Sequence, residues 1–207
     1  MTPTHPAPAP RGALLTYRDD GVLARGAGLL VAGQLPPLPP ALAGAFVTGV
    51  MLFLGIAGAQ GPAVFAPAVA LLLAGPGSSH QHDGRLDWLV PPLLRLTEYG
   101  FVAAVGFAWS VPTPLVFVVL GATIFHHYDV VHRCRQGFPP PGWLASAGLG
   151  WEGRMLLAAL AALLGAATTG YALLAVYLTA LFCWESVTCW LAVPRTGVET
   201  ADLAAEE

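Results

Sequence analysis

Two short stretches hold most of the side chains that could do chemistry. The first is HQHDGRLDWLVPPLLRLTEYG, residues 80–100. Asp83 and Asp87 stand four residues apart there, with histidines just ahead of them. Two carboxylates and an imidazole in that pattern suit a divalent cation held through oxygen, Mg or Mn. A second reading makes the same pair turn and helix-entry residues. Asp-Gly favours a turn, and Pro91-Pro92 suits a first helical turn. Arg95 and Glu98 follow at i, i+3 spacing, where they would neutralise each other. Glu98 is otherwise a further candidate metal ligand.

The second stretch is HHYDVVHRCRQG, residues 126–137. At helical spacing His126, Asp129 and Arg133 share a face, and His127 points elsewhere. Asp129 is a candidate metal ligand. His126, His127, Arg133 and Arg135 are candidate substrate ligands. Together with Arg85 and Arg95, the arginines suit a phosphate. The competing reading is an interfacial belt of aromatic and basic residues anchoring a helix end. Glu185, in CWESVTCW, lies ten residues before Arg195. That is about 15 Å of helix, too deep for a carboxylate to reach water. Glu185 is therefore expected to face inward and to pair with Arg95, His126 or His127. It joins the candidate substrate ligands.

The elements that must position these side chains are apolar. The chain has 207 residues, 56% hydrophobic and 10% charged, where a soluble domain carries about 25% charged residues. Mean hydropathy is +0.65. The apolar runs are long and do not alternate, so they predict an all-α membrane protein. Six spans are expected, at about 41–59, 61–75, 91–109, 114–131, 155–169 and 171–193. A short interfacial helix over 19–32, capped by Asp19 or Asp20, precedes them. The second run is short for a span, which needs roughly 17–25 residues. Trp143 and Trp151 are expected as interface anchors. Residues 1–12 and the acidic stretch 196–207 read as disordered tails around a single membrane domain, 13–195. The first twelve residues lack the apolar core of a signal peptide.

All nine basic residues are arginine, and they decide the topology. Arg11, Arg18 and Arg25 precede the first run. Arg85 and Arg95 lie between or just inside the second and third runs. Arg133, Arg135 and Arg154 lie between the fourth and fifth, and Arg195 follows the sixth. Six crossings with both termini in the cytoplasm place every arginine on the inner side of the plasma membrane. The same topology puts the ionisable residues of the spans in the cytoplasmic half. A conduit needs polar groups near the midplane, so a small transporter is disfavoured. A net charge of −3 gives no reason to expect a nucleic-acid partner. Cys183 and Cys189 lie in an apolar run and are expected to be small core residues. Ala161, Gly165 and Thr169 repeat at i+4 and predict close helix packing within the chain, or the seam of a homodimer.

The interfacial helix, the six spans and the carboxylate-bearing inner face resemble the CDP-alcohol phosphotransferases. Asp83-Gly84 matches the D-G step of that family's motif. Asp20-Gly21-Val22-Leu23-Ala24-Arg25 matches D-G-x2-A-R, with Tyr17 where the first aspartate belongs. The phrases YRDDGVLAR, GQLPPLPPALAG, DGRLDWLVPPLLR-x-x-EYG, FHHYDVVHR-x-RQG and GLGWEGR are similar to an uncharacterised actinobacterial membrane domain. In larger proteins that domain accompanies nucleotidyltransferase and CDP-alcohol phosphotransferase domains. The resemblance implies lipid or polyol-phosphate metabolism at the inner leaflet, with membrane lipid as a partner. Two roles follow as expectations. One is an enzyme or degenerate enzyme that binds a phosphorylated head group or CDP-linked alcohol with a divalent metal. The other is a non-catalytic anchor for a CDP-alcohol phosphotransferase.

Overall fold

The computed structural model describes residues 13–56 and 60–192. The expected tails, 1–12 and 196–207, therefore lie outside the described residues. Among the described residues every regular element is helical. Helices α1 (Ala13–Arg18) and α2 (Val22–Val31) come first. Then follow α3 (Leu38–Ile56), α4 (Gln60–Ala63) and α5 (Ala66–Ala74). A 3-10 segment over Gly75–Ser79 extends α5, and another at Asp87–Leu89 leads into α6 (Val90–Ala108). The remaining helices are α7 (Thr113–Arg135), α8 (Trp143–Ala147), α9 (Gly150–Leu163) and α10 (Ala167–Ala192).

Four segments are long and apolar enough to cross a membrane: Leu38–Gly55, Gly61–Ser79, Thr113–Arg135 and Ala167–Ala192. The short second run reaches that length because the 3-10 segment prolongs it to 19 residues. Helix α6 also has 19 residues, but Arg95 and Glu98 interrupt its apolar character. Helix α9 has 14 residues, about 21 Å at helical rise, which is short of a hydrocarbon core of about 30 Å. The outward faces are apolar. Phe46, Phe53, Leu72, Leu173, Val176 and Leu191 are all well exposed. In water they would form patches far larger than a monomer tolerates; in lipid they are simply solvated.

The fifth run is displaced from its expected place. It starts at Gly150 and stops at Leu163 because Gly165 turns left-handed at φ +68°. The Ala166 N–H then donates to the Ala161 carbonyl at 2.8 Å, and the Gly165 N–H to Ala162 at 3.1 Å. This closes the helix and satisfies two terminal carbonyls. Ala161, Gly165 and Thr169 are therefore not one face of one helix. The close contact falls instead between Ala161 and Gly170, where an added Cβ would lie 2.3 Å from the Ala161 methyl.

The core is threaded by Phe101, Val116, Met155, Tyr171 and Leu178. At one end of the bundle α6, α7 and α10 meet where Gly106 lets Val116 and Tyr171 close in. The Tyr171 hydroxyl donates to the Val102 carbonyl at 2.7 Å. The charged side chains gather at the other end. They come from the first half of α6, the second half of α7, the start of α9 and the second half of α10, and the end of α5 reaches them through the Ala74 carbonyl. The helices therefore alternate in direction. Cys134 is buried, but Cys183 is exposed and Cys189 half-buried. The last two face outward beside Trp184 and Val187, where a weakly polar thiol costs little in lipid.

Candidate functional site

The link between α1 and α2, Arg18-Asp19-Asp20-Gly21, lies buried at the charged end. Asp19 takes a left-handed conformation, φ 54°, which an aspartate tolerates better than most residues. Arg18 Nε donates to Asp20 Oδ2 at 2.6 Å, and its Nη2 reaches the Ala74 carbonyl at 3.1 Å. Trp151 Nε1 donates to the other Asp20 oxygen at 2.8 Å. Trp151 is thus a core residue, 1% exposed, and not the interface anchor expected from sequence. Its indole needs an acceptor when buried, and Asp20 supplies one.

Asp19 is the hub. Arg154 Nη2 donates to its Oδ2 at 2.6 Å. His127 Nε2 lies 3.0 Å from the same oxygen, and His126 Nε2 lies 3.4 Å from Oδ1. Burial pushes the Asp19 carboxyl up, but Arg154 and the two histidines outweigh it and hold the group well below the usual carboxylate range. Arg154 Nε grips Glu98, and its Nη1 donates to the Gly148 carbonyl at 2.8 Å. His127 Nδ1 meets the Tyr99 hydroxyl at 2.5 Å. Arg95 donates to the Tyr17 carbonyl. The buried ensemble sets Arg18, Arg95 and Arg154 against Asp19, Asp20, Glu98 and Glu152, so it nearly balances.

Glu152 has a different task. It receives the Gly21 N–H at 3.0 Å and the Ala24 N–H at 3.1 Å. These are orphan donors of the first turn of α2. Neither Asp19 nor Asp20 caps that helix; Gly21 holds the cap position, and a carboxylate from α9 satisfies the donors. Both aspartates are engaged elsewhere. The Trp151 N–H also donates to the Asp19 carbonyl at 3.1 Å. This approach requires glycine at 150, where φ is +62° and a Cβ would lie 2.1 Å from the Gly21 nitrogen.

Above this ensemble is a cavity of about 430 Å³. Asp19, Asp20 and His126 line its polar side, with Arg25, Ser78 and Ser79. Leu15, Leu29, Val130 and Leu144 line its apolar side. His126 is held by stacking on Phe182, with ring centroids 4.0 Å apart and 7° between planes. Arg25 is fixed by Nε to the Gly21 carbonyl at 3.1 Å and Nη2 to Ser146 Oγ at 2.8 Å.

Of the residues singled out from sequence, His126, His127, Glu98 and Arg95 reach this ensemble. His126 and His127 converge rather than diverge, because Asp19 enters between them. Glu98 pairs with Arg154 and not with its neighbour Arg95, which turns toward the α1 carbonyl. Glu185 pairs with Arg133 at 2.8 Å, rather than with Arg95, His126 or His127. Arg133 also holds Asp129 at 3.2 Å. These three form a separate group on α7 and α10, to which Trp190 Nε1 adds a bond to Asp129 at 3.1 Å. Asp83, Arg85 and Arg135 are exposed. Asp87 accepts the Gly84 N–H at 2.9 Å, as a helix-entry residue does.

Asp83, Asp87, Glu98 and Asp129 therefore do not form one ligand set. Among the described residues no three His, Cys, Asp or Glu side chains gather closely enough to hold a metal ion. Glu98 and Asp129 are already ion-paired, with Arg154 and Arg133. Among the described residues, none of these arrangements offers a Mg or Mn ion three such side chains. Sequence reasoning gave no site role to Arg18, Asp19, Asp20, Glu152 or Arg154. A signal for them existed: all five fall in YRDDGVLAR and GLGWEGR, charged segments abutting apolar runs.

A family model described as "Family of unknown function (DUF5941)" matches residues 9–205. The chain belongs to that family. No curated protein matches it, and no solved structure does.

Proposed function

We propose that this member of a family of unknown function binds a phosphorylated head group, of a lipid or a CDP-linked alcohol, at the inner face of the plasma membrane. The observation that carries this reading is the two-sided cavity at the charged end of the bundle. Its polar side, Asp19, Asp20, His126 and Arg25, suits hydroxyl and phosphate groups. Its apolar side suits an acyl or alkyl portion. The same reading has six crossings with both termini in the cytoplasm, so that the cavity opens inward. Single cysteines at Asp83 and at Gly165, in a cysteine-free background, test the orientation. An impermeant maleimide on intact cells should label position 165 and spare position 83.

Binding is measured with the protein in nanodiscs, titrated with CDP-diacylglycerol. Arg25→Ala should weaken binding about ten-fold, the worth of one charge-assisted hydrogen bond. The reading fails if wild type does not bind, or if Arg25→Ala binds equally well. Binding is expected to persist in EDTA, since among the described residues the carboxylates are not arranged for a metal.

A second reading is a non-catalytic membrane partner of a CDP-alcohol phosphotransferase. Its support is that Asp19, Asp20, Glu98 and Glu152 are each engaged by arginine or by backbone N–H donors. That engagement suits a binding or anchoring protein better than an acid–base catalyst. Crosslinking in native membranes, followed by identification of a co-purifying phosphotransferase, tests it. Absence of any such enzyme counts against it.

A further inference from the structure

The loop Phe138-Pro139-Pro140-Pro141-Gly142 separates the cavity described above from a second cleft of about 540 Å³. Arg133 and Glu185 form its base, and Phe138, Trp143 and Thr188 stand in its walls. Arg133 is 2% exposed. Its Nη1 makes all three bonds to Asp129 and Glu185. Its Nε is buried and has no hydrogen-bond acceptor among the described residues. An orphaned guanidinium donor on a residue that lines the cleft asks for an oxygen acceptor. Arg133 is nevertheless already paired with two carboxylates, Glu185 in the cleft lining and Asp129 outside it, so a purely anionic ligand would add repulsion. A ligand with both signs resolves the conflict. Its phosphate oxygen meets Nε, and its ammonium lies near Glu185 and the faces of Phe138 and Trp143. The cleft borders the lipid-facing surface, since Trp143 is 46% exposed and Trp184 60% exposed. The Trp143 and Trp184 rings lie 6.3 Å apart, as aromatic residues do at a membrane interface.

We propose that this cleft is a second site, for the zwitterionic head group of a membrane phospholipid carrying ammonium and phosphate together. It is independent of the cavity on Asp19 and His126. The test uses full-length protein released from mixed nanodiscs and examined by native mass spectrometry. Phosphatidylethanolamine should be retained at least about ten-fold over phosphatidylglycerol. Soluble phosphoethanolamine should compete only weakly, because the lipid is held at the interface. Trp143→Ala, at a half-exposed wall position, should reduce retention while leaving thermal unfolding unchanged. Arg133→Lys keeps the charge but loses Nε as a phosphate donor, and should reduce retention too. Equal retention of both lipids, or preference for phosphatidylglycerol, overturns the zwitterionic assignment. Retention untouched by both Trp143→Ala and Arg133→Lys overturns the site. Full competition by soluble phosphoethanolamine overturns the lipid source.

Discussion

Arg154→Met is the sharpest perturbation of the buried ensemble. Arg154 is 1% exposed and holds two carboxylates at once, Glu98 through Nε and Asp19 through Nη2 at 2.6 Å. Methionine fills much of the same volume without charge, so packing changes little. The loss is then electrostatic. Removing one partner of a buried pair costs about 3–5 kcal/mol. Here two acids are stranded, although a stranded acid can take up a proton and relieve part of the second cost. For a chain of this size the expected fall in Tm is roughly 10–20 °C. Tryptophan fluorescence on heating in detergent reads it directly, since Trp151 sits within the ensemble. Adding Glu98→Leu should recover part of the loss, because an apolar pair of similar volume often replaces a buried ion pair without penalty. The reasoning is refuted if Arg154→Met unfolds within about 2 °C of wild type, or if Glu98→Leu only adds to its loss.

Asp19 gives a pH dependence of definite sign. Its folded pKa lies well below the ordinary 3.8, so on the acid side the unfolded chain binds the proton first. Its stabilisation is complete above that value and declines as pH falls below it. The stability difference between wild type and Asp19→Asn should therefore narrow in acid denaturation. His82 acts nearer neutrality. Burial and the nearby Arg18 lower its pKa from 6.5, so stability should fall as pH drops below 6.5, and His82→Gln should flatten that limb. Glu152→Gln places an amide donor against one of two N–H donors at the start of α2. It should cost about 1–3 kcal/mol and speed hydrogen exchange at Gly21 and Ala24. Gly150→Ala meets both a left-handed φ and the Gly21 backbone. It should cost at least about 2 kcal/mol, seen as lower Tm and yield.

Composition and the length of the apolar runs are enough to set the class of solvent and the placement of charge. Long non-alternating apolar runs have only helices available in lipid, so the all-α fold was legible without tertiary information. The clustering of ionisable residues toward one end was legible too, because arginines recur at alternate loops. Pro91-Pro92 opening α6 was also readable from local chemistry, since proline fits a first helical turn. Pairing was not legible. Arg95 and Glu98 satisfy the i, i+3 rule, yet Glu98 turns to Arg154, 56 positions away. Burial explains this: a charge removed from water takes whichever partner the packing brings nearest, and sequence spacing sees only its own helix. The same limit hid Asp19, which looked like a helix cap and is the hub of the site. Its partners come from α7 and α9, over a hundred residues away. Only the tertiary structure brings them together, and only it places Arg133 and Glu185 in a second cleft of their own.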